Sequence, residues 1–234
     1  MEIADLRGRT LAGRFELKEP IGEGGYAAVF RAIQLSVGRE CAVKVLAPEL
    51  CGDEKTESRF RTEARTTSRL THPNTVVIYD FGYDDEASVL FLAMELLEGD
   101  AVNGRVEERG PLSVSAAASI VRQAAGSLQE AHDEGTVHRD VKPHNLMLVD
   151  RGSHSQFVKV IDFGIAKVLR ADTSLKKSLT GAGMMIGTPT YMAPEQIRGE
   201  DIDGRVDQYS LAMSAYFMLT ESTPFGGGTS MQVA

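Results

Sequence analysis

The residues best suited to chemistry lie in one polar loop and at the end of the strand-like run that follows it. Residues 138–145 read HRDVKPHN, so Asp140 is followed by Lys142 and Asn145, and the next strand-like run ends at Asp162. Carboxylate and amide oxygens are hard ligands suited to Mg²⁺, which binds through a few carboxylates plus substrate phosphates. A lysine among them supplies a compact positive charge for a transferring phosphoryl group. The pattern therefore favours metal-assisted phosphoryl transfer.

These residues resemble the catalytic and metal-binding loops of the eukaryotic-like (Hanks-type) protein kinases. The resemblance runs from about residue 14 to residue 225, with the family's motifs in their usual order and spacing. The motifs are a glycine loop at 22–30, Lys44, Glu63, the loop 140–145, DFG at 162–164 and APE at 193–195. The resemblance implies an α+β, two-lobed protein-kinase-like fold. Its N-lobe would be a small antiparallel β-sheet with one key helix, and its C-lobe would be mainly helical.

The resemblance also predicts how the chain is divided. It implies a lead-in at 1–13, an N-lobe at 14–93, a hinge at 94–99 and a C-lobe at 100–234 that lacks its expected last helices. No arginine follows Arg205, although the family pairs such an arginine with the glutamate that matches Glu195. A buried charge without its partner costs about 3–5 kcal/mol. We therefore expect a fragment, or a protein completed by another chain.

The glycine-rich stretch predicts a phosphate-binding turn. Glycines let backbone N–H groups approach phosphate oxygens without a Cβ in the way, although a lone G-x-G is more often simply a turn. Val29 follows at the family's spacing, whereas Ala27 replaces the third glycine. The resemblance implies that ATP is bound by Ile21, Gly22, Glu23, Gly24, Gly25, Val29, Ala42, Lys44, Glu63, Met94, Glu95, Leu97 and Met147.

Lys44 stands in an apolar strand-like run, where a lysine is rarely buried unless paired. Taken alone, it is most simply an edge-strand lysine that points to water. In the family the matching lysine pairs with a helix glutamate, here Glu63, and holds the α- and β-phosphates. The motifs on either side favour that pair. Thr67 departs from the apolar residue usual in the family and is expected to loosen the active arrangement.

The resemblance assigns roles to the catalytic loop. Asp140 would be the base that accepts or orients the substrate hydroxyl proton, and Lys142 would stabilise the phosphoryl group. Asn145 and Asp162 would bind Mg²⁺. Lys142 and the GTP sequence at 187–189 are similar to Ser/Thr-specific members. The implied activity is transfer of the ATP γ-phosphoryl to protein Ser or Thr hydroxyls.

The polar stretch after the DFG motif is expected to be a mobile lid. A phosphate on Ser178 or Thr180 would pair with Arg139 and order the lid, while a disordered loop rich in hydroxyls is an equal alternative. The family also implies that the residue matching Asp207 holds the catalytic-loop backbone. It further implies that His138 packs against Phe163 and does no chemistry.

Periodicity and helix-breaking residues predict the surrounding elements. Strands are predicted at 75–80 and 89–95, and helices at 54–70, 113–131 and 207–219, the last buried nearly all round. Residues 102–108 read as a poor helix because Asn103 and Gly104 disfavour it. The acidic turn 84–86 is most simply a solvated hairpin tip, and His132 a helix-terminus residue.

Composition limits the remaining classes of function. The net charge of −8 argues against a nucleic-acid binder, whose affinity rests on Lys and Arg. Of the two cysteines, Cys41 lies in an apolar strand pattern, which favours a buried thiol over a disulfide and suits a reducing cytoplasm. No secretory signal or apolar run of about 20 residues occurs. A cytoplasmic location is predicted, no membrane contact within this chain is expected, and a membrane anchor beyond residue 234 stays open.

Two other classes of protein compete with the kinase. A pseudokinase-like scaffold is favoured by Ala27, Thr67 and the missing last helices. The intact residues of the motifs weigh more heavily against it, namely Lys44, Asp140, Asn145 and Asp162. A small-molecule phosphotransferase of similar fold would lack the segment 187–195. A P-loop NTPase is dismissed because its motif is absent. Protein substrates and ATP are the expected partners, and a homodimer for autophosphorylation is left open.

Overall fold

The protein is described here by a computed structural model, which covers residues 3–24, 27–48, 51, 54–151, 154–163 and 189–225. These residues form two compact units. The first contains residues 3–69 and 76–97, and the second contains residues 70–75, 98–163 and 189–225. Across these ranges, no helix is long and apolar enough to span a bilayer.

The first unit is built on a six-stranded antiparallel sheet with one helix. Its strands are β1 (Thr10–Leu11), β2 (Phe15–Gly24), β3 (Ala27–Gln34), β4 (Arg39–Leu46), β5 (Ile78–Asp84) and β6 (Val89–Met94), and helix α1 (Glu54–Thr67) lies between β4 and β5 in the chain. The strand order is β1-β2-β3-β4-β6-β5. Alternate residues of β3 are buried, as expected for a sheet with one face on a core. Phe15 and Phe91 pack in that core with ring centroids 5.7 Å apart.

The second unit is mainly helical, with a small three-stranded sheet. Its helices are α2 (Val102–Arg109), α3 (Val114–Asp133), α4 (Pro194–Arg198) and α5 (Arg205–Thr220), and its strands are β7 (Gly99–Ala101), β8 (Leu146–Arg151) and β9 (His154–Val160). Two short 3₁₀ helices cover Pro143–Asn145 and Pro189–Tyr191. The sheet order is β7-β8-β9, with both pairs antiparallel. The predicted α+β class, a sheet with one helix followed by mostly helices, is confirmed.

Helix α3 forms as its periodicity predicted. The side chain of Ser113 accepts a hydrogen bond from the backbone N–H of Ala116 and so caps the first turn. Ile120, Ala124 and Leu128 recur on the face that is buried in the core of the second unit. The helix therefore presents one apolar stripe, and its end leads directly to the catalytic loop.

Several predictions about single elements were wrong. The expected poor helix at 102–108 is a regular helix, α2, because Val102 and Val106 are fully buried and outweigh the low propensity of Gly104. Helix α5 is not buried all round, since Tyr216 and Leu219 are 44% and 40% exposed. Packing against neighbours, which local sequence does not show, decided both outcomes.

The N-terminal lead-in has more structure than its polar sequence suggested. Residues Ile3–Leu6 form a 3₁₀ helix and β1 follows, with Leu6 and Leu11 buried in the core of the first unit. Asp84 is also buried, so it is not part of a solvated hairpin tip. Its carboxylate accepts hydrogen bonds from the backbone N–H groups of Ala12 and Ala87, both at 2.6 Å. Asp84 thus ties the lead-in to the β5–β6 turn.

The connection between α1 and β5 belongs to the second unit, although both elements belong to the first. The carboxylate of Glu130 on α3 accepts hydrogen bonds from the backbone N–H groups of Thr71 and His72, both at 2.9 Å. Lys159 on β9 donates to the carbonyl oxygen of Thr75 at 3.0 Å. The strand predicted to start at Thr75 therefore starts later, at Ile78, because this stretch is bonded to α3 and β9 instead.

Candidate active site

The loop that carries the predicted catalytic residues is held by Asp207 of α5. The fully buried Asp207 carboxylate accepts hydrogen bonds from the backbone N–H groups of His138 and Arg139, both at 2.8 Å. Nε2 of His132, near the end of α3, lies 2.8 Å from Oδ2 of the same carboxylate. The expectation that Asp207 holds the catalytic-loop backbone is confirmed. The part played by His132 was missed, since a lone histidine near a helix end gives no signal of a distant carboxylate.

The loop brings three of the predicted residues together. Nζ of Lys142 lies 3.0 Å from Oδ2 of Asp140. Nδ2 of Asn145 donates to the backbone oxygen of Asp140 at 2.8 Å and to its Oδ2 at 3.2 Å. Pro143 begins the 3₁₀ turn that places Asn145 back beside Asp140. A carboxylate, an ammonium and an amide therefore face one another in a short, hydrogen-bonded loop.

Asp162 lies beside this loop because the preceding residue, Ile161, is hydrogen-bonded to it. The Ile161 N–H donates to the carbonyl oxygen of Asn145 at 3.0 Å, and Nε2 of His138 lies 3.0 Å from the Ile161 carbonyl oxygen. Asp162 itself has a φ of +59°, a left-handed conformation that is uncommon outside glycine. Such conformations persist where surrounding contacts over-determine them, which occurs often at functional sites.

The chemistry of Asn145 and Asp162 fits Mg²⁺. The amide nitrogen of Asn145 is used as a donor to Asp140, which leaves the amide oxygen as the group with ligand character. One amide and one carboxylate are enough for an ion that keeps several waters and binds substrate phosphates. No group of three or more His, Cys, Asp or Glu side chains suited to a metal occurs in the described part of the chain.

His138 packs as the resemblance implied. It is fully buried, and its ring centroid lies 4.5 Å from that of Phe163. Burial lowers the pKa of His138 below its usual range, against an opposing effect of the Asp207 charge. The ring is also bonded to backbone groups of Ile161 and Asp140, so the expected packing of His138 against Phe163 is confirmed.

The glycine-rich turn lies between β2 and β3. Gly22 pairs with Val29 and Gly24 with Ala27. Neither glycine has a positive φ, and among the described residues a Cβ built on either would meet nothing nearer than 3.6 Å. These distances are ordinary van der Waals contacts, so the described neighbours of the two positions do not themselves require glycine.

Lys44 lies on β4 between β3 and β6, where it pairs with Val29 and Leu92. The alternative of an edge-strand lysine is therefore wrong. Glu63 lies half-buried on α1 in the same unit, and its ion pair with Lys44 stays a prediction. Thr67 is 2% exposed and its hydroxyl donates to the Glu63 carbonyl oxygen at 2.9 Å, so its burial leaves no unpaired hydroxyl.

Most of the other predicted ATP contacts lie on strands or directly after one. Ile21 and Glu23 lie exposed on β2, Ala42 on β4, Met94 at the end of β6, Glu95 and Leu97 just after it, and Met147 on β8 of the second unit. The Glu95 N–H donates to the carbonyl oxygen of Val77 at 2.9 Å, which fixes the backbone at the start of the predicted hinge. Gly25, Gly164, Ser178, Thr180 and the segment 187–188 lie outside the described residues.

Sequence comparison identifies relatives along nearly the whole chain. Residues 15–234 match the family described as "Protein kinase domain". The chain is 42% identical over 218 residues to serine/threonine-protein kinase pkn3 of Myxococcus xanthus, covering 93% of this chain and 40% of pkn3. It is 37% identical over 229 residues to serine/threonine-protein kinase PknL of Mycobacterium tuberculosis, covering 98% of this chain and 55% of PknL. The chain thus spans about half, or less, of the length of these relatives.

Solved structures give the same result. A point mutant of the Mycobacterium tuberculosis PknI kinase domain is 31% identical, with a TM-score of 0.75 and coverage of 96% of this chain and 79% of that one. The structure of Rad53 1–466 in complex with AMP-PNP is 27% identical, with a TM-score of 0.74 and coverage of 94% and 52%. The family match and the arrangement of Asp140, Asn145 and Asp207 agree, and the chain belongs to the protein kinase family.

Proposed function

We propose that this chain is the catalytic domain of a protein serine/threonine kinase. It would transfer the γ-phosphoryl of ATP to Ser or Thr hydroxyls of protein substrates. The observation that carries the proposal is the contact of Asp140 with both Lys142 and Asn145 in a loop held by Asp207. The relatives named as serine/threonine-protein kinases and the AMP-PNP in the Rad53 structure support the choice of acceptor and nucleotide.

The roles within the loop follow from charge and position. Asp140 orients the substrate hydroxyl and takes its proton, which requires a carboxylate within hydrogen-bond reach of that hydroxyl. Lys142, 3.0 Å from Asp140, places a positive charge where negative charge develops on the transferring group. Asn145 and Asp162 hold Mg²⁺, which when bound neutralises charge on the phosphates. The protein's own contribution is mostly positioning and electrostatic stabilisation.

Nucleotide binding is proposed for residues of the first unit. Gly22 and Gly24, whose described neighbours do not themselves require glycine, take the phosphates through backbone N–H groups. Lys44 holds the α- and β-phosphates and pairs with Glu63. The backbone of Glu95 and Leu97 hydrogen-bonds the adenine. The Met147 side chain of the second unit is proposed as a further nucleotide contact.

The test is phosphoryl transfer from γ-labelled ATP by the chain and by an Asp140→Asn variant. We expect transfer to be nearly abolished while ATP binding stays close to that of the wild type, because the substitution removes the base and keeps the shape. Asp150→Asn, an exposed aspartate on β8, is the matched control and should leave transfer unchanged. Unchanged turnover by Asp140→Asn would overturn the proposal.

Autophosphorylation between two copies forms a second part of the proposal. Ser178 and Thr180 are the proposed acceptors, and the homodimer is the proposed arrangement. Active chain mixed with an inactive Lys44→Met chain should place label on Ser178 or Thr180 of the inactive copy. Label only on the active copy would exclude transfer between copies.

A cytoplasmic location is also proposed. It is supported by Cys41 and Cys51, which are not joined in a disulfide.

A further inference from the structure

The side chain of Gln196 joins α4 to the catalytic loop. Its Oε1 accepts a hydrogen bond from the backbone N–H of Ala193, and its Nε2 donates to the carbonyl oxygen of Arg139, both at 3.1 Å. A backbone N–H can only donate and a backbone carbonyl can only accept, so these partners fix the orientation of the amide. The amide oxygen of Gln196 therefore bonds within the start of α4, while its amide nitrogen bonds to the catalytic loop.

Arg139 is the residue immediately before Asp140, and its backbone is unusual. Its φ is +66°, a left-handed conformation for a non-glycine residue. Its N–H donates to Oδ1 of Asp207 at 2.8 Å, and its carbonyl accepts from Gln196. Two separate helices, α5 and α4, thus hold the two polar backbone groups of one strained residue.

The carbonyl of Arg139 and the N–H of Asp140 belong to the same planar peptide unit. The Asp140 N–H donates to Nδ1 of His138 at 3.2 Å, so Gln196 on one side and His138 on the other set the orientation of this plane. Rotation of the plane would turn the Cα–Cβ bond of Asp140 and move its carboxylate. A misplacement of about 1 Å at a catalytic group can cost about 100-fold in rate.

Helix α4 is itself held in place. The carbonyl oxygen of Tyr191, just before α4, accepts a hydrogen bond from the buried hydroxyl of Ser210 on α5 at 2.7 Å. The side chain of Gln196 therefore projects from a fixed support, as a positioning group requires.

We propose that Gln196 is a positioning residue for Asp140, acting through the Arg139–Asp140 peptide plane. This assignment rests on the proposed kinase function, because Gln196 can affect the reaction in this way only if Asp140 is the catalytic residue. It also gives the start of α4 a direct connection to the catalytic loop, separate from the bonds that Asp207 makes.

The test uses Gln196→Glu, which separates the two tasks of the side chain. The carboxylate keeps an acceptor for the Ala193 N–H but has no donor, and it places a charged oxygen against the Arg139 carbonyl. We expect kcat to fall by at least about tenfold while KM for ATP stays within about twofold of the wild type. The matched control is Gln208→Glu, which adds the same charge at an exposed position of α5 and should leave both constants unchanged.

The pH dependence of kcat in Gln196→Glu provides a further test, because a purely structural role of Gln196 would not change it. A protonated carboxyl has an O–H that can donate to the Arg139 carbonyl, and the nearby carbonyl oxygen favours the protonated form. The ratio of variant to wild-type kcat, measured at each pH, should therefore rise as the pH falls from 8 to 5.5. Taking the ratio removes any pH dependence that both proteins share. A ratio that is flat with pH overturns the assignment.

Amide hydrogen exchange tests the contact without reference to activity. Exchange of the segment 138–142 should be faster in Gln196→Glu than in the wild type and in Gln208→Glu, because the peptide plane loses a donor. Unchanged exchange or unchanged kcat overturns the role of Gln196 and leaves the proposed function standing. A wild-type chain that transfers no phosphoryl group overturns the proposed function instead, and exchange alone then decides whether Gln196 holds the loop.

Discussion

Nε2 of His132 lies 2.8 Å from Oδ2 of Asp207, and the same oxygen accepts the backbone N–H of His138. The end of α3, the catalytic loop and the start of α5 therefore meet at one buried carboxylate. Gly204 permits this approach, because a Cβ built there would lie only 2.6 Å from Nδ1 of the His132 ring. The Asp207 carboxylate and the missing Cβ of Gly204 thus allow the end of α3 and the start of α5 to approach closely beside the catalytic loop.

The first prediction concerns Asp207. In an Asp207→Asn variant the amide nitrogen would face a backbone N–H donor, so a buried hydrogen bond to a charged group is lost. We expect the free energy of unfolding to fall by about 3 kcal/mol, measured by urea denaturation. The exposed Asp201→Asn provides the matched control and should change stability by less than about 0.5 kcal/mol. Equal effects of the two substitutions would contradict the importance of the Asp207 contacts.

A second prediction compares two glycines of the second unit. Gly99 has a φ of +150°, and a Cβ there would lie 2.0 Å from the carbonyl oxygen of Leu148. Gly99→Ala should therefore displace β7 from β8 and destabilise the protein by about 3 kcal/mol or more. Gly104 lies inside α2, and no atom of the described residues lies within 4 Å of a Cβ built there. Gly104→Ala should stabilise the protein by about 0.5–1 kcal/mol.

Thermal or urea unfolding of the two alanine variants, measured side by side, checks these opposite signs. A loss of stability at Gly104 or none at Gly99 would show that local backbone geometry does not control these positions.

The third prediction separates two neighbouring acids of the β5–β6 turn. Asp84→Ala would leave the N–H groups of Ala12 and Ala87 without their acceptor, at a cost of about 2 kcal/mol. Asp85→Ala, at an exposed position, should have little effect. Limited proteolysis gives a second readout, since release of the lead-in should make cleavage within residues 3–12 faster in Asp84→Ala alone.

The fourth prediction is a pH dependence of stability. Burial lowers the pKa of His138, so below about pH 6.5, the usual value for histidine, the unfolded chain binds a proton that the folded chain resists. The contribution of His138 is therefore fully present above about pH 6.5 and is lost as the pH falls. His138→Gln removes this titration. We expect the fall in unfolding free energy between pH 7.5 and pH 5.5 to be smaller in the variant than in the wild type. An equal fall in both proteins would contradict it.

The part of the site that sequence predicted is the part that is local in the chain. Asp140, Lys142 and Asn145 lie in one loop, so their spacing alone forces proximity. The packing of His138 on Phe163 and the bonds of Asp207 were expected only through the resemblance, because the residues are far apart in the chain.

What sequence missed depends on single polar residues with distant partners. Asp84, His132 and Gln196 each bond to residues that no periodic pattern connects to them. The regular helix α2 was missed for a related reason. Its propensity is low, and the burial of Val102 and Val106 that stabilises it is a property of the packed core.

The connection between α1 and β5 makes the second unit discontinuous in the chain. During synthesis His72 emerges before its partner Glu130, which follows 58 residues later, and strands β5 and β6 of the first unit lie between them. The sheet of the first unit can therefore form before α3, to which residues 70–75 bond, has been synthesised. A polypeptide begun at Glu98 would also lack the Thr75 carbonyl that Lys159 contacts. The second unit therefore cannot be excised by a single cut without removing part of its own interior.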